Sequence, residues 1–216
     1  MANTLAPFGF SQFQGTGYTP TFELTTMYAA YNAGAMYQGD AVVPVTSSAT
    51  GLIKQATAST VALAGIFWGC KYLSVSQKRV IWNNYWPGSD VASGNNVECY
   101  VINDPAAQFL CQTTNSNTTA TAVTQTYVGQ LINLAVGTGS TTTGLSGMSA
   151  DQYTISTTAT LPFVIKGIYG GSPTAMIPSI GPPGASGTDV TSGNNWIIVG
   201  FNNALTRANG AQTGIS

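Results

Sequence analysis

Charge is what this sequence has least of. Lysine and arginine number 6 and aspartate and glutamate 7 in 216 residues, 6% of the chain against about 25% in ordinary soluble domains. The six basic residues, Lys54, Lys71, Lys78, Arg79, Lys166 and Arg207, are scattered, and only Lys78 and Arg79 are adjacent. That is too little positive charge to neutralise a phosphate backbone, so nucleic acid is not expected as a partner. Histidine is absent altogether. Its absence removes the usual general base, the Ser-His-Asp and Cys-His arrangements and the commonest metal ligand. No apolar run approaches the roughly 18 to 20 residues of a membrane-spanning helix, so no membrane is expected as a partner. The N-terminus, MANTLAPFGFSQFQGTG, lacks the basic and apolar regions of a secretory signal. Synthesis in the cytoplasm without export is therefore expected.

Cysteine is scarce too: Cys70, Cys99 and Cys111 are odd in number and have no metal-type spacing. Small buried hydrophobes are the expected role, with a Cys99–Cys111 bridge as the alternative. The seven acids, Glu23, Asp40, Asp90, Glu98, Asp104, Asp151 and Asp189, stand singly. Turn and cap roles are expected of them, although a carboxylate pair of the glycosidase kind can form in space from residues distant in sequence. GTGSTTTG at Gly137–Gly144 lacks the Lys-Ser/Thr ending of a phosphate-binding loop and reads as a flexible connection. No cofactor and no metal are expected.

What remains is apolar and neutral polar. Hydrophobic residues make up 44% and aromatics 10%, enough for a sizeable core, so Thr, Ser, Asn, Gln and Gly must cover the surface. A net charge of −1 gives little protection against association, which points to a chain that ends in contact with other protein. A secreted, Thr-rich β-protein is the other reading of such a surface.

Short apolar runs recur between turn signals. AVVPV, GLIKQAT, ALAGIFWGCKYLSV, RVIWNNYW, VECYVIN, YTISTTATLPFVIKGIY and NNWIIVGFNNA read as strands, with Pro44 marking an edge or a bulge. The fold class expected is mainly β, an antiparallel β-barrel or sandwich body over about residues 36–216, with long Gly/Pro/Thr-rich loops. Residues 1–35 read as an extended N-terminal arm with one short helix around Leu24 to Tyr31. No internal repeat at a fixed period is visible. The arm carries Phe8, Phe10, Phe13 and Tyr18, spaced to lie along another surface. Lys78 and Arg79 read either as a contact with an acidic partner or as a solvated hairpin end. Trp68, Trp82, Trp86 and Trp196, with Tyr72, Tyr85 and Tyr100, suit core or interface positions better than a carbohydrate platform.

YQGDAVVPVTSSATGLIKQATASTVALAGIFWGCKYLS, from Tyr37 to Ser74, places a Gly-Asp before a β-branched strand, then a Gly-hydrophobic run, then a Gly-aromatic strand. With VECYVINDPAAQFLCQTT, VGQLINLAVGTGSTTTGLSGMSADQYTISTTATLPFVIKGIY and NNWIIVGFNNA, it resembles tailed-bacteriophage head proteins of the cement or decoration class. The resemblance extends over about Tyr37 to Ala204, as texture and short blocks. It implies a non-enzymatic β-barrel protein on the outer surface of the virion capsid. Such a protein binds the major capsid protein, often as a homodimer or homotrimer, and bridges capsomers. On that reading Phe8, Phe10, Phe13 and Tyr18 contact the lattice, and deleting residues 2–20 weakens attachment without unfolding the barrel. The Gly/Pro-rich segment Gly170 to Gly187 departs from the pattern. It leaves open a head-fibre or receptor-binding role, and a hydrolase with a carboxylate pair is the third reading.

Overall fold

A computed structural model describes residues 3–14, 24–45, 51–170 and 189–204. The strands in the first half of the chain are β2 (Thr25–Ala29), β4 (Ala41–Pro44), β5 (Leu52–Gln55), β6 (Gly65–Leu73) and β9 (Val97–Ile102). They pair in the order β4-β5-β2-β9-β6, and β6 pairs back onto β4, which closes a barrel. A further strand, β7 (Val80–Asn83), extends β6 on the outside. The second half supplies β10 (Gln108–Thr114), β11 (Leu131–Ala135), β12 (Ser149–Ser156), β13 (Phe163–Tyr169) and β14 (Trp196–Phe201). Their order is β10-β12-β11-β13-β14, closed by pairing of β14 with β10, and β1 (Ser11–Gln14) adds to β10. A two-stranded ribbon of β3 (Met36–Tyr37) and β8 (Tyr85–Trp86) completes the strands. The mainly β fold expected from the sequence is present, as closed barrels.

The two barrels have one topology. In each, the first strand in chain order runs parallel to the third, as in β2–β5 and β10–β12. All other pairs within each ring are antiparallel. The registers correspond except in β11–β12, where a shift between Leu131 and Asn133 has no counterpart in β4–β5. Ala41 faces Ile66 as Leu131 faces Val164, and Cys70 faces Cys99 as Ile168 faces Ile197. The bulge between Phe67 and Gly69 recurs between Ile165 and Gly167. Before the second strand of each barrel stands a Tyr-x-Gly turn whose glycine has positive φ, +94° at Gly39 and +91° at Gly129. Gly39 N donates to Phe67 O as Gly129 N donates to Ile165 O, each at 2.8 Å. In return, Phe67 N donates to Asp40 O and Ile165 N to Gln130 O. One barrel topology is therefore repeated within the chain, a repeat that the sequence does not show at a fixed period. It shows no fixed period because loop lengths differ, so the offset between equivalent residues changes from strand to strand.

Alternation of side chains gives each barrel its own interior. Val42, Ile53, Phe67, Cys70, Cys99 and Val101 fill the first, and Phe109, Cys111, Ile132, Phe163, Ile165 and Val199 belong to the second cluster. Ala41, Ile66 and Ile102 alternate with the first set and join the second cluster, so the outside of barrel one packs against barrel two. Hydrogen bonds also cross the junction, from Leu63 N to Asn203 O and from Asn133 Nδ2 to Ala58 O.

Two expectations for the N-terminal third need correction. The helix at Leu24 to Tyr31 is instead strand β2, with Met27 opposite Cys99 and Tyr28 opposite Glu98. Its Thr-Thr start and the partners on either side favour the pleat over a helix. The segment 3–14 is no free arm, because Phe10 is 1% exposed and stacks on Phe163 at 4.5 Å within the second cluster.

Candidate functional site

On barrel one the outward positions of four adjacent strands form a row: Tyr28 opposite Glu98, Glu98 opposite Lys71, and Lys71 opposite Trp82. Glu98 and Tyr100 share this face because VECYVI alternates, with Val97, Cys99 and Val101 turned inward. Gly69, opposite Tyr100, has no side chain to fill its place in the next row. The backbone of Asn83 and Asn84 closes on that place, and Trp82 stacks on Tyr100, with ring centroids 5.5 Å apart and planes 3° from parallel. Lys71 Nζ lies 5.0 Å from the Trp82 ring centre and 3.1 Å from Glu98 Oε2. Tyr100 Oη donates to Glu98 Oε1 at 2.8 Å. The Tyr100 hydroxyl, and then Lys71, hold the Glu98 carboxyl below its usual range. Desolvation, followed by Glu98, pushes the Tyr100 phenol up to about 12.

Despite this ordering the face is open. Trp82 is 66% and Tyr28 49% exposed, and Leu73, Val75 and Val80 at the β6–β7 end are exposed as well. Beside Trp82 lies an open cleft of about 360 Å³ lined by Trp68, Tyr100, Gln38, Asn83 and Asn84. The arrangement offers large planar surfaces with one neutralised ion pair. It suits apolar and hydrogen-bonded contact with another protein.

The residues expected to make contacts are distributed differently. Phe8 is half-buried, edge-on to Trp196 at 5.1 Å, and Phe13 is edge-on to Tyr169 at 6.0 Å. With Phe10 in the core, these three pack against their own chain. Tyr18 lies outside the described residues. Lys78 and Arg79 are exposed in the turn between β6 and β7, next to Val75 and Val80. Asp90 organises that turn, accepting from Ser74 Oγ at 2.6 Å and Ser76 N at 2.8 Å, and these bonds hold its carboxyl below the usual range. Tyr28 went unrecognised because a helix was expected there. Trp82 shares its face with Val80, a two-residue alternation in RVIWNNYW that marks one side of a strand.

Asp40, Asp151 and Asp189 accept hydrogen bonds from neighbouring groups. Asp40 Oδ2 accepts from Tyr37 N and Gln55 Nε2, both at 2.8 Å, and burial pushes this carboxyl up. Asp151 accepts from Ser116 Oγ and Tyr153 N, and Asp189 from Thr191 and Ser192 hydroxyls. Cys70 and Cys99 face each other in barrel one while Cys111 lies in barrel two, so the Cys99–Cys111 bridge is not formed and all three thiols are free. Burial pushes the Cys99 thiol up to about 12. Among the described residues no three His, Cys, Asp or Glu side chains gather to hold a metal ion. Comparison with known protein families, curated proteins and solved structures returns no match.

Proposed function

We propose that this chain is a virion structural protein, a capsid cement or decoration protein. It binds the outer surface of the major capsid protein lattice and bridges capsomers. The observation that carries this reading is the exposed patch of Tyr28, Leu73, Val80 and Trp82 on the outer face of barrel one, in a chain with 13 charged residues in 216. A patch of this kind marks a protein-contact surface. Contacts made by aromatic rings and neutral polar groups are little affected by salt, and lattice symmetry multiplies each modest interface. The resemblance of the four sequence blocks to head proteins of the cement class supports the same reading. Assembly as a homodimer or homotrimer on the virion exterior belongs to it.

The contact surface is thereby moved from Phe8, Phe10 and Phe13 to the β2-β9-β6-β7 face, with Lys78 and Arg79 at its margin. The test is quantitative mass spectrometry of purified particles from the source, with this chain counted against the major capsid protein. A simple stoichiometric fraction is expected, and absence from particles sinks the proposal. Trp82→Ala should weaken attachment about tenfold or more, the usual loss for a buried aromatic anchor. Because Trp82 is mostly exposed in the free protein, its thermal transition should stay within a few degrees of wild type.

A further inference from the structure

The repeated topology shows what covers this type of face. On barrel two, Gln112, Trp196 and Tyr169 occupy the positions of Tyr28, Glu98 and Lys71. There the row lies beneath residues of the N-terminal segment. Gln112 Nε2 donates to Thr4 O at 2.8 Å and Gln112 Oε1 accepts from Ala6 N at 2.7 Å, which fixes the segment's backbone. Phe8 and Phe13 then set their ring edges against Trp196 and Tyr169. β1 continues along the edge of β10, Ser11 opposite Leu110 and Gln12 opposite Phe109. In the next row the outward-facing Ile198, opposite Leu110, is 2% exposed.

Among the described residues, barrel one has the same row and the same strand edge without a cover. β2 pairs with β5 only at Tyr28 and Ala29, so among the described residues the edge at Thr25 and Thr26, equivalent to the one β1 occupies, carries no strand. We infer that this face is a groove for an extended polypeptide segment of the lattice partner, uncharged and bearing spaced aromatic side chains, laid as residues 3–14 are laid on barrel two. The partner's identity rests on the proposed function; the groove does not. The occupant's chemistry follows from the face. Lys71 and Glu98 neutralise each other, so a charged segment gains nothing, whereas Trp82 and Tyr28 offer flat apolar area. The chain's own segment 3–14 is committed to barrel two through Phe10. Strand addition supplies backbone hydrogen bonds, and the aromatic side chains supply the register.

The test pans the full chain against displayed random peptides as long as segment 3–14. Enriched peptides should carry two aromatic residues with the spacing of Phe8 and Phe13. Tyr28→Ala with Trp82→Ala should weaken their binding about tenfold or more. Bound peptide should also slow hydrogen exchange of backbone amides within Thr25–Met27, which contact with the aromatic patch alone leaves unchanged. Failure to enrich such peptides, binding that survives the double substitution, or unprotected β2 amides would each overturn the groove. A photo-crosslinking residue placed at Tyr28 in particle-bound protein then reads the occupant. Linkage to a segment of the major capsid protein supports the inference. Linkage to residues 3–14 of a second copy, or to no segment, overturns it. Absence of the chain from particles with peptide binding intact defeats the proposed function and the occupant while leaving the groove standing.

Discussion

Gly39 and Gly129 occupy the same place in the two barrels, and both need a φ that side chains with a Cβ adopt at a cost of about 1–2 kcal/mol. At Gly39 an added Cβ would also stand 3.1 Å from Phe10 N and 3.2 Å from Gly9 Cα. Gly129→Ala should lower unfolding free energy by about that conformational cost, and Gly39→Ala by more, as read from urea titrations of both variants. Asp40 beside Gly39 gives a pH signature. Its carboxyl is raised above the ordinary 3.8 by burial, so the folded chain holds this proton more tightly than the unfolded chain. The cost of the ionised form is therefore absent below pH 3.8, grows as pH rises towards the folded-state pKa, and is constant above it. Asp40→Asn keeps an oxygen for Tyr37 N and Gln55 Nε2 and does not ionise. Its stability relative to wild type should rise across that window and then level off; a pH-independent difference between the two proteins would contradict the buried-carboxylate account.

At the scale of elements, the N-terminal segment is the main surprise. Its Pro and Gly breakers and lack of helical period were legible, and so was the extended conformation. The destination of Phe10 was not, because the pocket that receives it is made by Phe163 and neighbours more than half the chain away. Phe10→Ala should cost about 3–5 kcal/mol of stability, the range for truncating a buried phenylalanine, measured by chemical denaturation. A loss under about 1 kcal/mol would restore the idea of a detachable arm. β2 was misread for a related reason. FELTTMYAAYN contains residues that helices tolerate, and only β9 and β5 on either side decide for the strand. The strands β4 to β9 were readable because alternation, turn residues and β-branched runs agree there.

At the scale of the whole molecule, two barrels of one topology share a continuous cluster that includes Ala41, Ile66 and Ile102 from one and Phe163 and Ile165 from the other. Neither can unfold without exposing apolar surface of its twin. Urea transitions followed by tryptophan fluorescence and by far-ultraviolet circular dichroism should therefore coincide. Separated midpoints would mean that the junction is weaker than its packing implies. The repeated topology also leaves an asymmetry: among the described residues, segment 3–14 covers the outer face of one barrel and no segment covers that of the other.

By itself the sequence determined that the chain is mainly β, poor in charge, free of histidine chemistry and rich in aromatics, because composition and two-residue alternation act locally. It also carried the trace of the repeat, in Tyr37-Gln-Gly39 and Tyr127-Val-Gly129, where a positive φ admits glycine most readily. Only the tertiary structure decided that these marks belong to twin barrels, since Gly65 and Phe163 or Cys99 and Ile197 become equivalent through register and not through likeness of side chain. It alone decided which aromatics are spent inside the molecule. Phe8, Phe10 and Phe13 pack against their own chain because residues distant in sequence converge on them, whereas among the described residues Tyr28 and Trp82 face outward and stay exposed.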